Sequence, residues 1–396
     1  MVNALTSSEK TRTVSSLKDL RSQKIERNAE EMLKHLNDSE LKPRYSAGVW
    51  YFYPPGGRFH EAYIDKGSIE DILAKIGWLY DEGFIDSSFR VEAHYPNEVS
   101  RDNMDLYRDF AKDTRIRLIT VIPNLFYDKV FEFGSLSNPD PKVRRYAIDR
   151  LTESLKLNRE LETEFAVIWP GIDGYENPFG FDFYGMWKRF EERVAEAMDA
   201  VPGVRVALEP KPYEPRGNNI YRNTANGLIM ARNVESLLGA EENLTILDGG
   251  HVLVGLNPEV GHILMGHEEL AYALASILRE GRLAHTHWNS QPLGNYDQDL
   301  DVGVLGLDQM LAALLVLKMH GYDGFFGIDI NPERIPVERA LVLSMNALDA
   351  ACTHVNELDY ERLVEAMYNP SENRGVVEDV LTRSLAPASA FLKRLP

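Results

Sequence analysis

Cys352 is the only cysteine among the 396 residues. No disulfide can form within one chain, and the composition suits a reducing compartment. Long apolar runs are missing too: no stretch reaches the roughly 18 uncharged residues that a membrane-spanning helix needs. The opening M-V-N-A-L-T-S-S-E-K lacks the apolar core of a secretory signal, so a cytoplasmic location is expected. Positive charge is scarce, with 43 Lys and Arg against 61 Asp and Glu, a formal balance of −18. Nucleic acids and anionic membranes call for basic patches. The positives here are scattered or confined to the N-terminal arm, so neither partner is expected. Metal ions and neutral sugars remain open to an acidic protein.

Hydrophobic residues make up 44% and charged residues 26%, enough for a sizeable core. The length fits one α/β barrel with added segments. We expect an N-terminal extension (1–44), a barrel (45–335) and a C-terminal helical segment (336–396). In the extension, Ala29, Met32, Leu33 and Leu36 fall at helical spacing, and the Ser7 to Lys18 stretch reads as less ordered. The first barrel strand is expected at A-G-V-W-Y-F-Y, ended by Pro-Pro-Gly-Gly. S-I-E-D-I-L then opens a helix, with Ser68 as cap and Asp71 completing a capping box. Further strands are read at 89–97, 115–126, 164–171 and 204–209, then in L-T-I-L-D, in L-A-H-T-H-W-N and at G-F-F-G-I-D. Helical patterns lie between them, an alternation that belongs to barrels and doubly wound sheets. No internal repeat is readable.

The stretch from Ile246 to Leu300 concentrates the chemistry, holding Asp248, Glu259, His262, His285, His287, Asp297 and Asp299. All read as strand ends and the loops that follow. Glu209, Glu259, His287 and Asp329 each end a separate expected strand, so they can converge across a barrel mouth. That convergence tips the choice to a (β/α)8 barrel. Three carboxylates and an imidazole suit Mn, Mg or Co, whereas thiolates would have argued for zinc or iron–sulfur. A second group, Glu259, His262, Asp297 and Asp299, offers a second ion site, with Glu259 able to bridge. Taken singly, D-x-D is also what a solvated acidic turn looks like. Lys211 is either an exposed lysine in a Pro-rich turn or a cation aimed at a carbonyl oxygen. His94, at a strand end, is either structural or catalytic, and Trp50 is either core or the wall of a sugar pocket. Two ions and a lysine around a polyol point to movement of hydrogen between C1 and C2.

A-L-E-P-K-P-Y-E-P-R-G (207–217), N-P-E-V-G-H (257–262) and Y-D-Q-D-L (296–300) resemble the signatures of the D-xylose (glucose) isomerases, in the same order. P-N-L-F-Y-D-K-V-F and D-P-K-V-R-R-Y-A resemble that family as well, and the likeness spans roughly residues 45 to 335. The resemblance implies a TIM barrel that converts a free aldose to a ketose with two divalent ions (Mn, Co or Mg), as a homodimer or homotetramer. Glu209, Glu259 and Asp329 then correspond to ligands of the structural ion. Glu259, His262, Asp297 and Asp299 correspond to ligands of the catalytic ion, which serves proton movement between O1 and O2. Lys211 matches the lysine at the substrate carbonyl, His94 the histidine of ring opening, and Trp50, Phe126 and Trp169 the aromatic walls of a dry hydride path.

Three departures stand out. The family's H-x-D-x-N reads H-T-H-W-N here, so His287 takes an aspartate's place among the structural-ion ligands. The match to the family's non-ligand histidine falls on His285. Asn97 stands where an aspartate orients the ring-opening histidine, which predicts a weaker partner for His94. The loop from Pro170 to Phe183 also differs from the family's G-G-R-E-G run. The closest rival reading is a ketose epimerase working with one ion and a symmetric acid pair; the doubled ligand set in Y-D-Q-D-L favours the isomerase. A metal-assisted nuclease would want positive flanks, and a non-catalytic sugar-binding barrel needs neither a charged cage nor Lys211.

Overall fold

The computed structural model describes residues 26–54, 60–332 and 334–394. The Ser7 to Lys18 stretch and most of the Pro-Pro-Gly-Gly turn lie outside these residues. The strands in chain order are β1 (Arg44–Gly48), β2 (Arg90–Tyr95), β3 (Arg117–Pro123), β4 (Ala166–Ile168), β5 (Gly174–Tyr175), β6 (Val206–Leu208), β7 (Asn218–Asn219), β8 (Val254–Leu256), β9 (His287–Trp288) and β10 (Phe325–Ile328). One arc runs β3-β2-β1-β10-β9 and the other β4-β6-β8, parallel at every pairing. Two seams join the arcs. Glu164 N donates to Ile119 O at 3.0 Å between β3 and β4, and Ala284 N donates to Leu256 O at 2.9 Å between β8 and the approach to β9. The ring therefore closes in chain order. Among the described residues, only β5 and β7 stand apart, as an antiparallel pair.

Each barrel strand is followed by a helix that lays an apolar stripe on the ring: Ile69–Asp81, Met104–Thr114, Pro141–Glu160, Phe183–Ala200, Thr224–Ser236, Leu270–Arg279, Leu307–His320 and Val337–Asn356. This is the (β/α)8 barrel expected from the alternation. The starts follow the local chemistry. Ser68 accepts from Asp71 N while the Asp71 carboxylate accepts from Ser68 N, closing the capping box. Pro141 stands in the first turn behind the Asp140 cap. The helix Ala29–Asp38 packs with Tyr360–Tyr368 and Val376–Leu385 in a small core of its own, built on Leu36, Leu363, Val364 and Val380. No described helix is long and apolar enough to cross a membrane.

Two sequence expectations need correction. β1 ends at Gly48, and Val49–Phe52 forms a 3-10 turn, so Trp50 follows the strand instead of lying in it. The indole folds back so tightly that a Cβ on Gly48 would lie 2.3 Å from it, and only glycine permits that approach. L-T-I-L-D is the end of the helix Glu241–Asp248, whose first turn carries Glu241 and Glu242, where acids favour a helix start. Asp248 is exposed and takes no part in the barrel mouth. The strand forms later, after Gly250 (φ 78°) reverses the chain.

Replacing Ser68 by Ala removes the hydroxyl acceptor and should lower stability by about 1 kcal/mol. The lower urea midpoint should come with an unchanged slope; an unaltered midpoint would show that the cap is idle.

Candidate metal centre and active site

All the acids and imidazoles singled out above, except His285 and Asp248, face one cavity of about 200 Å³ at the C-terminal ends of the strands. Glu209 follows β6 directly, and Asp329 follows β10. Glu259 sits at the N-terminus of the short helix Val260–Met265, which holds His262 one turn on. Asp297 and Asp299 come from the long loop between β9 and the helix Leu307–His320. There Asp299 adopts φ 44°, a left-handed backbone that folds the D-x-D segment back over the mouth. The loop is strapped to its neighbour: Asp297 N donates to the Glu214 carboxylate at 2.9 Å, and Tyr213 Oη donates to Asn295 O at 2.7 Å. Lys211 and Asp297 thus meet from different loops, Nζ to Oδ2 at 2.6 Å.

Two donor groups result. His287 Nδ1 lies 3.2 Å from both Glu209 Oε2 and Asp329 Oδ2. His262 Nε2 lies 3.3 Å from both Glu259 Oε2 and Asp297 Oδ2. Donor atoms of Glu209, Glu259 and His287 fall within 4.8 Å of one another, as do those of Glu259, His262 and Asp297. Glu259 is common to both sets. Its second oxygen accepts from Asn289 Nδ2 at 2.9 Å; the same amide reaches Asp299 at 3.0 Å, and Asn257 Nδ2 donates to Glu209 at 2.7 Å.

This donor set fits divalent cations. His287 Nδ1 is buried between two carboxylate oxygens yet aligned for a hydrogen bond to neither, as a metal ligand would be. Oxygen-rich cages with one imidazole suit Mn, Co or Mg. Burial and the neighbouring Asp297, Asp299, Asp329 and Glu209 push Glu259 well above the usual carboxylate range. Asp299 rises for the same reasons, a repulsion that a cation would relieve. Burial acts on Asp297 in the same sense, but His262 and Lys211 prevail and hold it low. Burial opposes the charge on Lys211, but Asp297 overrides it and keeps the ammonium protonated.

One wall of the cavity is aromatic. Trp50 packs edge-on against His94 (centroids 4.6 Å), His94 against Phe126 (5.8 Å) and Phe126 against Trp169 (4.7 Å). Trp50 Nε1 also donates to Asp329 Oδ1 at 3.2 Å, and Lys211 Nζ stands 5.1 Å over the Trp169 ring. The structure thus brings His94, Lys211 and the three aromatic residues to the acids.

The expectation for Asn97 is overturned. Its side chain accepts from Asn124 at 2.8 Å, and His94 finds a full carboxylate one position later, Glu98 Oε2, 2.9 Å from Nδ1. Backbone geometry allows this because the chain turns just after β2, with Glu98 N donating back to His94 O. The H-x-x-x-E spacing was the available signal. Glu92 was missed as well. It lies two residues before His94, on the same face of β2, and a carboxylate inside an apolar buried strand is itself a sign of a paired charge.

The comparisons with known proteins agree with this fold. A family model described as a xylose isomerase-like TIM barrel matches residues 70–351. A xylose isomerase of Thermus thermophilus is 32% identical over 298 residues, which is 72% of this chain and 72% of that one. Among solved structures, a D-tagatose 3-epimerase-like protein superposes with a TM-score of 0.57 at 16% identity, covering 79% of this chain and 98% of its own. An L-ribulose 3-epimerase gives 0.55 at 15% identity, covering 82% and 98%. At those identities the structural likeness speaks for the fold alone.

Burial opposes protonation of His94, but the Glu98 carboxylate outweighs it and raises the imidazole above its ordinary value. Stability from this pair is fully present below about pH 6.5, the unfolded value, and is lost as pH rises through the raised folded value. Glu98→Gln should therefore lower the His94 titration midpoint followed by NMR. It should also destabilise the chain more at pH 6 than at pH 9. An unshifted His94 midpoint would contradict the pairing.

Proposed function

The chain belongs to the xylose isomerase-like TIM-barrel family, and from that premise we propose that it is a divalent-metal-dependent aldose–ketose isomerase acting on a free sugar. A cavity of about 200 Å³ falls below the roughly 300 Å³ of pockets that hold drug-sized ligands. It suits a single pentose, hexose or deoxyhexose. The observation that carries the reading is the sharing of Glu259 by two donor sets beneath an aromatic wall. Glu209, Glu259, His287 and Asp329 would hold one ion, and Glu259, His262, Asp297 and Asp299 the other. When bound, the ions would supply Lewis acidity to the sugar's carbonyl and hydroxyl oxygens.

The chain's own groups do the rest. His94, backed by Glu98, exchanges a proton with the ring oxygen as the pyranose opens. Lys211 directs its ammonium at the carbonyl oxygen and steadies negative charge as it develops there. Asp297, held ionised beside Lys211, accepts a hydrogen bond from the sugar's C2 hydroxyl, whose proton passes to O1 as the hydrogen moves from C2 to C1. Trp50, Phe126 and Trp169 exclude water from the C1–C2 bond, so the hydrogen passes between carbons without exchange. Cytoplasmic residence and a homodimer or homotetramer belong to the same proposal. The epimerase fold relatives keep a second reading in view, proton abstraction at a ketose carbon.

An aldose deuterated at C2 distinguishes them. Incubated in ordinary water with the Mn-loaded protein, it should give a ketose that keeps its label. Extensive washout would point to an enediol route and to the epimerase reading. Lys211→Met should lower kcat by about 100-fold or more, the scale on which removal of an oxyanion partner is felt, with metal uptake unchanged.

A further inference from the structure

Behind the metal-facing side of His287 lies a closed polar layer that the proposed reaction does not use. Glu92 is fully enclosed by the barrel and accepts from two rings, His285 Nε2 to Oε1 and His287 Nε2 to Oε2, each at 3.0 Å. Ser46 Oγ donates to Oε1 at 2.7 Å. In register, Gly327 of β10 stands beside His287 of β9 on one side and Ser46 of β1 on the other. A Cβ on Gly327 would come within 2.7 Å of both imidazoles and 3.0 Å of Glu92. The strand gives up a side chain here so that the two rings and the carboxylate can interlock.

The two nitrogens of His287 sit in different chemistry. Nε2 points straight at a carboxylate oxygen with hydrogen-bond alignment. Nδ1 is aimed between two oxygens and aligned with neither. We propose that Glu92 is a positioning residue: it holds the Nε2 proton of His287 and so presents the Nδ1 lone pair to the cation. Glu92 also anchors His285 by its Nε2, which keeps that ring as a wedge behind His287 and out of the ligand shell. This explains how a barrel can use imidazole for a cation cage without the ring turning over. The proposal rests on the two-ion reading above.

The test is titration of Co²⁺ into the metal-stripped full-length chain, followed by calorimetry and visible absorption. The unaltered chain should take up two ions, and His287→Ala should lose one of them. Glu92→Met, similar in length but unable to accept a hydrogen bond, should weaken that same ion by about 10–100-fold, the usual scale for removing a carboxylate behind a liganding histidine. It should also alter that ion's absorption band, while the second ion binds as before. If Glu92→Met binds both ions like the unaltered chain while His287→Ala loses one, the metal reading stands and the role of Glu92 falls. If the unaltered chain takes up no ion, both fall. Should Glu92→Met fail to fold, the unaltered chain, labelled with ¹⁵N-histidine and loaded with Zn²⁺, reads the tautomer directly. The His287 signals, identified by their loss in His287→Ala, should carry the proton on Nε2; a proton on Nδ1 overturns the proposal.

Discussion

Mutual repulsion of carboxylates at one end of the barrel is the constraint on which the rest of the structure depends. Glu209, Glu259, Asp297, Asp299 and Asp329 share one small cavity. Like charges about 4 Å apart repel by about 4 kcal/mol at the effective dielectric near a protein surface. No chain would gather five acids there without compensation. Lys211 supplies part of it, and His262 Nε2 reaches Asp297 at 3.3 Å. Asn257 and Asn289 donate hydrogen bonds. We assign the remainder to the proposed cations, toward which both the elevated affinity of Glu259 and Asp299 for protons and the donor geometry point.

The barrel makes this concentration possible. Short parallel strands deliver one side chain each to the mouth, and the helices outside carry the core that holds them there. Within the ring, polarity is layered. Phe165, Val167, Ala207 and Phe325 form an apolar stratum, and Ser46, Glu92 and His285 a hydrogen-bonded polar one. Above them the acids open to the cavity. The aromatic wall of Trp50, Phe126 and Trp169 stands over one side, so a substrate there would touch charge on one flank and dry surface on the other.

Much of this was legible in the sequence. The ends of apolar runs mark where Glu209 and Asp329 emerge, because a buried parallel strand must end before a carboxylate can meet solvent or an ion. Helix starts such as Ser68 were readable for the same local reason. What escaped was non-local. The partner of His94 depends on how the chain turns after β2, and the family resemblance drew attention to Asn97 where the turn delivers Glu98. Glu92 lies in a stretch that reads as an ordinary strand, and its importance appears only when β9 brings two histidines against it from 193 and 195 positions away. L-T-I-L-D misled because four residues of β-compatible composition carry little weight beside two acids at a helix start. Trp50 turns back on Gly48 in a contact that no periodicity encodes.

Anomalous diffraction from crystals of the full-length chain loaded with Mn²⁺ tests the central claim most directly. The account predicts two peaks in the cavity. One should lie within bonding distance of His287 Nδ1, Glu209, Glu259 and Asp329, the other within bonding distance of Glu259, His262, Asp297 and Asp299. A single peak, a peak bound through His285, or no peak at the barrel mouth would contradict it.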